Sequence, residues 1–153
     1  MLYSWLVAKK TRGMFEQLNE ADAGPFIAAV RDDVVFTYPG KHALGGTMRG
    51  KAALGEWFQR FFRFFPGIKW TINDIVVEGA PWGTTVVSAE WSVRCVLENG
   101  HVFENEGLHM IELKGAKASA VRVYLDTQRS AAALQSLADS GVAEARVPQG
   151  AGV

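Results

Sequence analysis

The order and period of its segments predict an α+β protein in which a curved, mostly antiparallel sheet wraps around N-terminal helices as a cone. Three observations carry this. Apolar residues recur at helical spacing up to Phe65. After Pro66-Gly67 the period drops to two. The alternating segments that follow are long and joined by hairpin turns, so helices come first and antiparallel strands later.

Residues 3–19 read as a helix, with Tyr3, Val7, Met14, Phe15 and Leu18 on one face. Asp22 is placed to cap a short second helix whose first turn holds Pro25. Val34–Tyr38 is a short strand, and Pro39 to Gly50 a glycine-rich loop. Residues 51–65 carry the strongest helical signal: Leu54, Trp57, Phe58, Phe61, Phe62 and Phe65 fall on one stripe that Pro66-Gly67 ends. Ile68, Trp70 and Ile72 then alternate with polar residues. The phase slips at Asn73-Asp74 before Ile75 and Val77, which predicts a β-bulge. Strands follow over roughly 84–97, 101–113 and 118–126, with turns at Asn99-Gly100 and at Lys114 to Lys117. A last helix runs from about Gln128 to Ser140, closed by Gly141. Helices on one side of a long, bulged sheet leave an open end suited to a ligand.

The composition bounds what such a cone can serve. The chain has 153 residues, 48% hydrophobic and 21% charged, which suits one domain, spanning 1–153. Sixteen basic and sixteen acidic residues give a formal net charge of zero, without the Lys/Arg excess that nucleic-acid binders use on phosphates. Lys9 and Lys10 follow the apolar opening MLYSWLV, the reverse of a secretory signal, and no stretch reaches membrane-spanning length. The single cysteine, Cys95, sits in an alternating run as a buried thiol. The expectation is therefore a cytoplasmic protein that engages neither nucleic acid nor membrane. His42, His101 and His109 lack metal-site spacing, and no metal or cofactor is expected.

Alternation sorts the strands into faces. Phe103, Asn105, Gly107, His109 and Ile111 share one face of 101–113, while Glu104, Glu106 and Glu112 share the other. In 84–97, Trp91 lies with Val87, Ala89, Val93 and Cys95, opposite Glu90, Ser92 and Arg94. The inward set therefore holds Trp91, Asn105 and His109, a few polar groups within an apolar cone. In the last strand Val121, Val123 and Leu125 form one face; Arg122, Tyr124 and Asp126 form the other. Asp126 or Thr127 is also placed to cap the last helix. Trp57 and its stripe read as core that also floors the pocket, with Tyr38 and His42 near its mouth.

Particular segments resemble the SnoaL-like polyketide cyclase branch of the nuclear transport factor 2-like superfamily. They are Asp33-Val34-Val35-Phe36 running into Tyr38-Pro39-Gly40, and His42-Ala43-Leu44-Gly45-Gly46-Thr47 leading into Arg49-Gly50. Glu78-Gly79, Trp91, the Asn105–His109 stretch and Tyr124-Leu125-Asp126-Thr127-Gln128 complete the match, which extends from about residue 10 to 147. The superfamily holds cyclases, ketosteroid isomerases, epoxide hydrolases, dehydratases and proteins without catalysis, so the site must decide the chemistry. The full acid set of a ketosteroid isomerase is not evident, and Arg122 and Asp126 lack the second inward aspartate of limonene-type epoxide hydrolases.

The resemblance implies that Asp126 is a general acid/base turned into the pocket together with Tyr124. His109 would assist it, while Asn105 and Tyr124 hydrogen-bond a developing oxyanion. The remaining substrate contacts would come from Tyr38, His42, Trp57 and Trp91. The expected substrate is a hydrophobic, carbonyl-bearing small molecule, and a homodimer through the outer sheet face is expected. The alternative is a non-catalytic hydrophobic-ligand-binding or dimeric interaction module of the same fold.

Overall fold

The structure is a computed structural model, and it describes residues 1–148. Helix α1 spans Leu2–Leu18 and packs Thr11, Phe15 and Leu18 into the core. Asn19 locks its end to the sheet. Its Oδ1 accepts from the Trp70 N–H at 2.7 Å, and its Nδ2 donates to the Trp70 carbonyl at 3.0 Å. Asp22 accepts from the Gly24 N–H at 2.8 Å just ahead of the short helix α2, Gly24–Ala28, which has proline in its first turn. Strand β1 covers Val30–Tyr38, four residues longer at its start than the apolar run Val34–Tyr38 implies. Of the four added residues, 31–33 are exposed and charged and cut buried Val30 off from the apolar run, so alternation does not flag them.

Within the predicted glycine-rich loop a further strand forms: β2, Gly46–Arg49, pairs antiparallel with the end of β1. It is short, mostly exposed and at the sheet edge, which leaves no hydrophobic period to read. Helix α3, Lys51–Phe64, buries Leu54, Trp57, Phe58, Phe61 and Phe64. Strands β3 (Lys69–Gly79), β4 (Thr84–Val96), β5 (Val102–Lys114) and β6 (Lys117–Leu125) follow as a meander. The register of β3 on β4 shifts between Ile72 and Asp74, the position of the predicted bulge. Helix α4, Thr127–Asp139, ends before Gly141, which adopts φ +104°.

The six-stranded sheet has the order β2-β1-β6-β5-β4-β3. All neighbours are antiparallel except β1 and β6, which pair in parallel and bring the two ends of the domain together. The concave face and helices α1, α2 and α3 enclose one core, from Phe15 and Phe26 through Phe36, Trp57 and Phe61 to Val121 and Val123. The convex face carries the charges, including the Arg94–Glu104 pair at 3.1 Å. Cys95 is buried on the opposite, core face, its Sγ–H directed at the Pro66 carbonyl, and burial pushes its thiol up. No helix among the described residues is long and apolar enough to cross a membrane.

Candidate functional site

The polar centre of the cone begins with Trp91 on β4 and His109 on β5. Both point inward from the strand alternation, and both are buried. The Trp91 Nε1–H donates to His109 Nδ1 at 2.8 Å. That bond decides the tautomer: a neutral imidazole whose Nδ1 accepts must carry its proton on Nε2. Burial alone drives the His109 pKa from its ordinary 6.5 to about 3, so the ring is neutral at physiological pH. Rings of Phe15 and Phe26 stand edge-on to it, at centroid distances of 5.1 and 6.3 Å. No described residue accepts from Nε2–H. His109 therefore presents a hydrogen-bond donor and has little basicity.

Gly107 makes the Trp91 position possible. A Cβ built there would meet the Tyr124 carbonyl at 2.2 Å and Trp91 Cη2 at 3.0 Å, so any side chain would push β6 and the indole away. A glycine in mid-strand is the sequence signal for such a close approach.

His109 lines a narrow cavity of about 20 Å³ together with Tyr38, Trp57, Phe61, Trp70 and Trp91. The space holds about one water-sized group. A larger molecule must part the aromatic face of α3 from the sheet. Trp57 anchors that face: its Nε1–H donates to the Leu44 carbonyl at 2.9 Å, and its ring stacks on Phe61 at 5.0 Å. Tyr38 packs on Trp57, again at 5.0 Å. Burial raises the Tyr38 phenol well above its ordinary value, against a smaller opposing effect of the Ser130 hydroxyl, so it too stays protonated.

The other predicted site residues lie elsewhere. Asp126 is the N-cap of α4. Its Oδ1 accepts from the Gln128 and Arg129 N–H groups at 3.0 and 3.2 Å, and its Oδ2 faces Arg129 Nε at 3.5 Å. The carboxylate is half-exposed and does not line the aromatic cavity. Of its two sequence readings, cap and pocket acid/base, the geometry meets the cap. Tyr124 is corrected outright: it stands on the convex face, 51% exposed, while its neighbours Val123 and Leu125 turn inward. The reason is the pleat, since Val121 and Val123 claim the core face and force Tyr124 to the other.

Asn105 is inward and buried as predicted, but its amide is spent on the fold. Nδ2 donates to the Asp126 carbonyl (2.9 Å) and to Ser130 Oγ (3.2 Å); Oδ1 accepts from the N–H groups of Glu106 (2.8 Å) and Asp126 (3.3 Å). It clamps β5 to the β6–α4 corner and offers a ligand nothing further. His42 is buried on the loop before β2, where its Nδ1 accepts from the Leu44 N–H at 3.2 Å. Burial lowers its pKa. It touches Tyr38 edge-on at 5.8 Å but faces a groove of about 300 Å³ against α4 instead of the aromatic cavity.

A second cavity, of about 340 Å³, lies on the other side of the core under the first three turns of α1. Nothing in the sequence pattern marks it, because it exists only once α1 comes to rest over the sheet.

The SnoaL-like domain model matches residues 11–121. Among curated proteins, none matches the chain in sequence. Solved structures share the fold. An NTF2-like protein of unknown function from Burkholderia pseudomallei superposes with a TM-score of 0.71 at 17% identity, covering 80% of this chain and 92% of its own. IdmH from Streptomyces antibioticus, described as a proposed polyketide cyclase, gives a TM-score of 0.65 at 21% identity over 84% of this chain and 97% of its own. PrhC from Penicillium brasilianum gives 0.68 at 16%, covering 87% and 88%.

Proposed function

The chain belongs to the SnoaL-like domain family, and on that premise we propose that its cone binds a hydrophobic, carbonyl-bearing small molecule whose oxygen sits on His109 Nε2–H. One observation carries this reading: a buried, neutral histidine whose tautomer is set by Trp91 leaves a donor free among aromatic side chains. Such a donor stabilises charge building on a carbonyl oxygen and costs no reorganisation at that moment, as enolisation in isomerase or cyclase chemistry requires. The relative described as a proposed polyketide cyclase supports the same class of substrate. Tyr38 also lines the cavity, and burial keeps its phenol protonated.

Asp126 holds the α4 N-terminus and does not line the cavity. No carboxylate is found among the described residues that line the aromatic cavity, and this favours, as a second reading, binding without turnover. The two separate cleanly in heavy water. Catalysed exchange of the α-protons of a bicyclic ketone such as 2-tetralone supports chemistry; saturable binding with exchange at the solvent rate supports the module.

The binding claim itself is tested by calorimetry with the same ketone. His109→Leu combined with Trp91→Phe replaces both partners of the buried pair by apolar groups, which avoids stranding either one. It is expected to weaken binding about tenfold, the equivalent of one hydrogen bond in a dry site. Asp126→Asn is expected to leave affinity within about twofold, while Asp126→Ala lowers stability by about 1 kcal/mol through the lost cap. Unchanged affinity in the double variant, or its loss in Asp126→Asn, contradicts the reading.

A further inference from the structure

We infer that the 340 Å³ cavity under α1 is a second binding site, built for a medium-chain aliphatic carboxylate. Its roof is the inner face of the first turns of α1, including Leu6, Val7 and Met14. Its floor is the inward row of the sheet at the end away from Trp57, chiefly Val87, Ile111 and Val121. Apart from Phe26, the lining is aliphatic or carries a polar end, unlike the ring-lined space around His109. An apolar cavity of about 150 Å³ holds one benzene, so this one takes roughly 13 non-hydrogen atoms.

The polar side chains of the lining decide the ligand's charge. They are Tyr3, Lys10 and Thr11. The Tyr3 hydroxyl is paired with Thr85 Oγ1 at 2.8 Å, which pins the start of α1 to β4. The Thr11 hydroxyl donates to the Val7 carbonyl at 2.9 Å, inside the helix. Both serve the fold. Lys10 remains: an exposed ammonium on the wall, with no ion pair to any described residue. Its aliphatic stem can follow the apolar wall while the charge stays at the mouth. One cation over an aliphatic cavity matches an amphipathic anion with its chain inside and its carboxylate at the rim. Leu6, half-exposed, forms the lip that such a chain would cover.

This site shares no lining residue with the aromatic cavity, so it stands or falls independently of the ketone reading. The full chain is titrated with sodium decanoate below its micelle concentration, by calorimetry and by methyl and amide NMR. The expected result is saturable one-to-one binding, with shifts at Val87, Ile111 and Val121 and none at Trp57. Lys10→Glu, on an exposed position that leaves the core intact, is expected to weaken decanoate about tenfold. Neutral decanol is expected to bind the native chain more weakly than decanoate and to be indifferent to Lys10→Glu. Val7→Trp, which fills the cavity, is expected to abolish binding of both, with folding verified by its urea transition. Absence of saturable binding, decanoate affinity unchanged by Lys10→Glu, equal affinity for decanoate and decanol, or shifts confined to the Trp57 side overturns the assignment.

Discussion

Acidification from pH 7 to pH 4 is expected to remove roughly 3 kcal/mol of stability through His109 alone. In the unfolded chain the ring takes up its proton near 6.5; in the folded chain burial defers this to about 3. Between those values the unfolded state binds more protons, so stability falls as pH falls. It is complete above about 6.5 and declines by about 1.4 kcal/mol per pH unit through the window. For a domain whose whole margin is about 5–15 kcal/mol, one ring is a large share of acid lability. Carboxylates such as Asp126 add their own acid loss, so the decisive measurement is a difference. Urea midpoints from pH 7 to 4 are compared between the native chain and His109→Gln, whose side-chain oxygen can still accept from the Trp91 Nε1–H. The native chain is expected to lose stability more steeply by the amount stated. Parallel slopes in the two chains contradict a buried, neutral His109.

Trp57→Ala is expected to cost about 3–5 kcal/mol. Trp57 is 5% exposed and in ring contact with Phe36, Tyr38, Phe58 and Phe61. Its truncation opens a cavity at the centre of the α3 stripe and strands the Leu44 carbonyl, which accepts its Nε1–H. Trp57→Phe keeps most of the ring area and loses the hydrogen bond, so it is expected to cost about 1–2 kcal/mol. Chemical denaturation of both variants checks the pair. A loss below about 1.5 kcal/mol for Trp57→Ala means that α3 is not held by this residue.

The fold was legible because its signals are local. The Trp57–Phe65 stripe, the break at Pro66-Gly67, the slip at Asn73-Asp74 and the Asn99-Gly100 turn each report on a few adjacent residues, and each is met in the structure. The inward positions of Trp91, Asn105 and His109 follow from pleat alternation for the same reason. What lay beyond reach depends on partners distant in sequence. Alternation does not reveal that Asn105 spends its whole amide on Asp126, Ser130 and Glu106, or that Trp91 fixes the His109 tautomer. Resemblance turned Tyr124 toward the pocket, whereas the burial of Val121 and Val123 on the same strand requires the opposite. Asp126 stood at a corner where cap and acid/base roles call for the same residue, and only the Gln128 and Arg129 N–H directions separate them. The cavity under α1 is set by where the helix comes to rest and leaves no trace in any one segment.

His109 is the neutral donor at the centre of the cone, with its proton on Nε2. Nitrogen-15 NMR of the imidazole, recorded from pH 8 to pH 4, reads both properties at once. The expected spectrum shows a protonated Nε2 and an unprotonated, hydrogen-bonded Nδ1 for His109, nearly unchanged across that range because the ring titrates only near pH 3. A ring that titrates near pH 6.5, or one that carries its proton on Nδ1, contradicts the account.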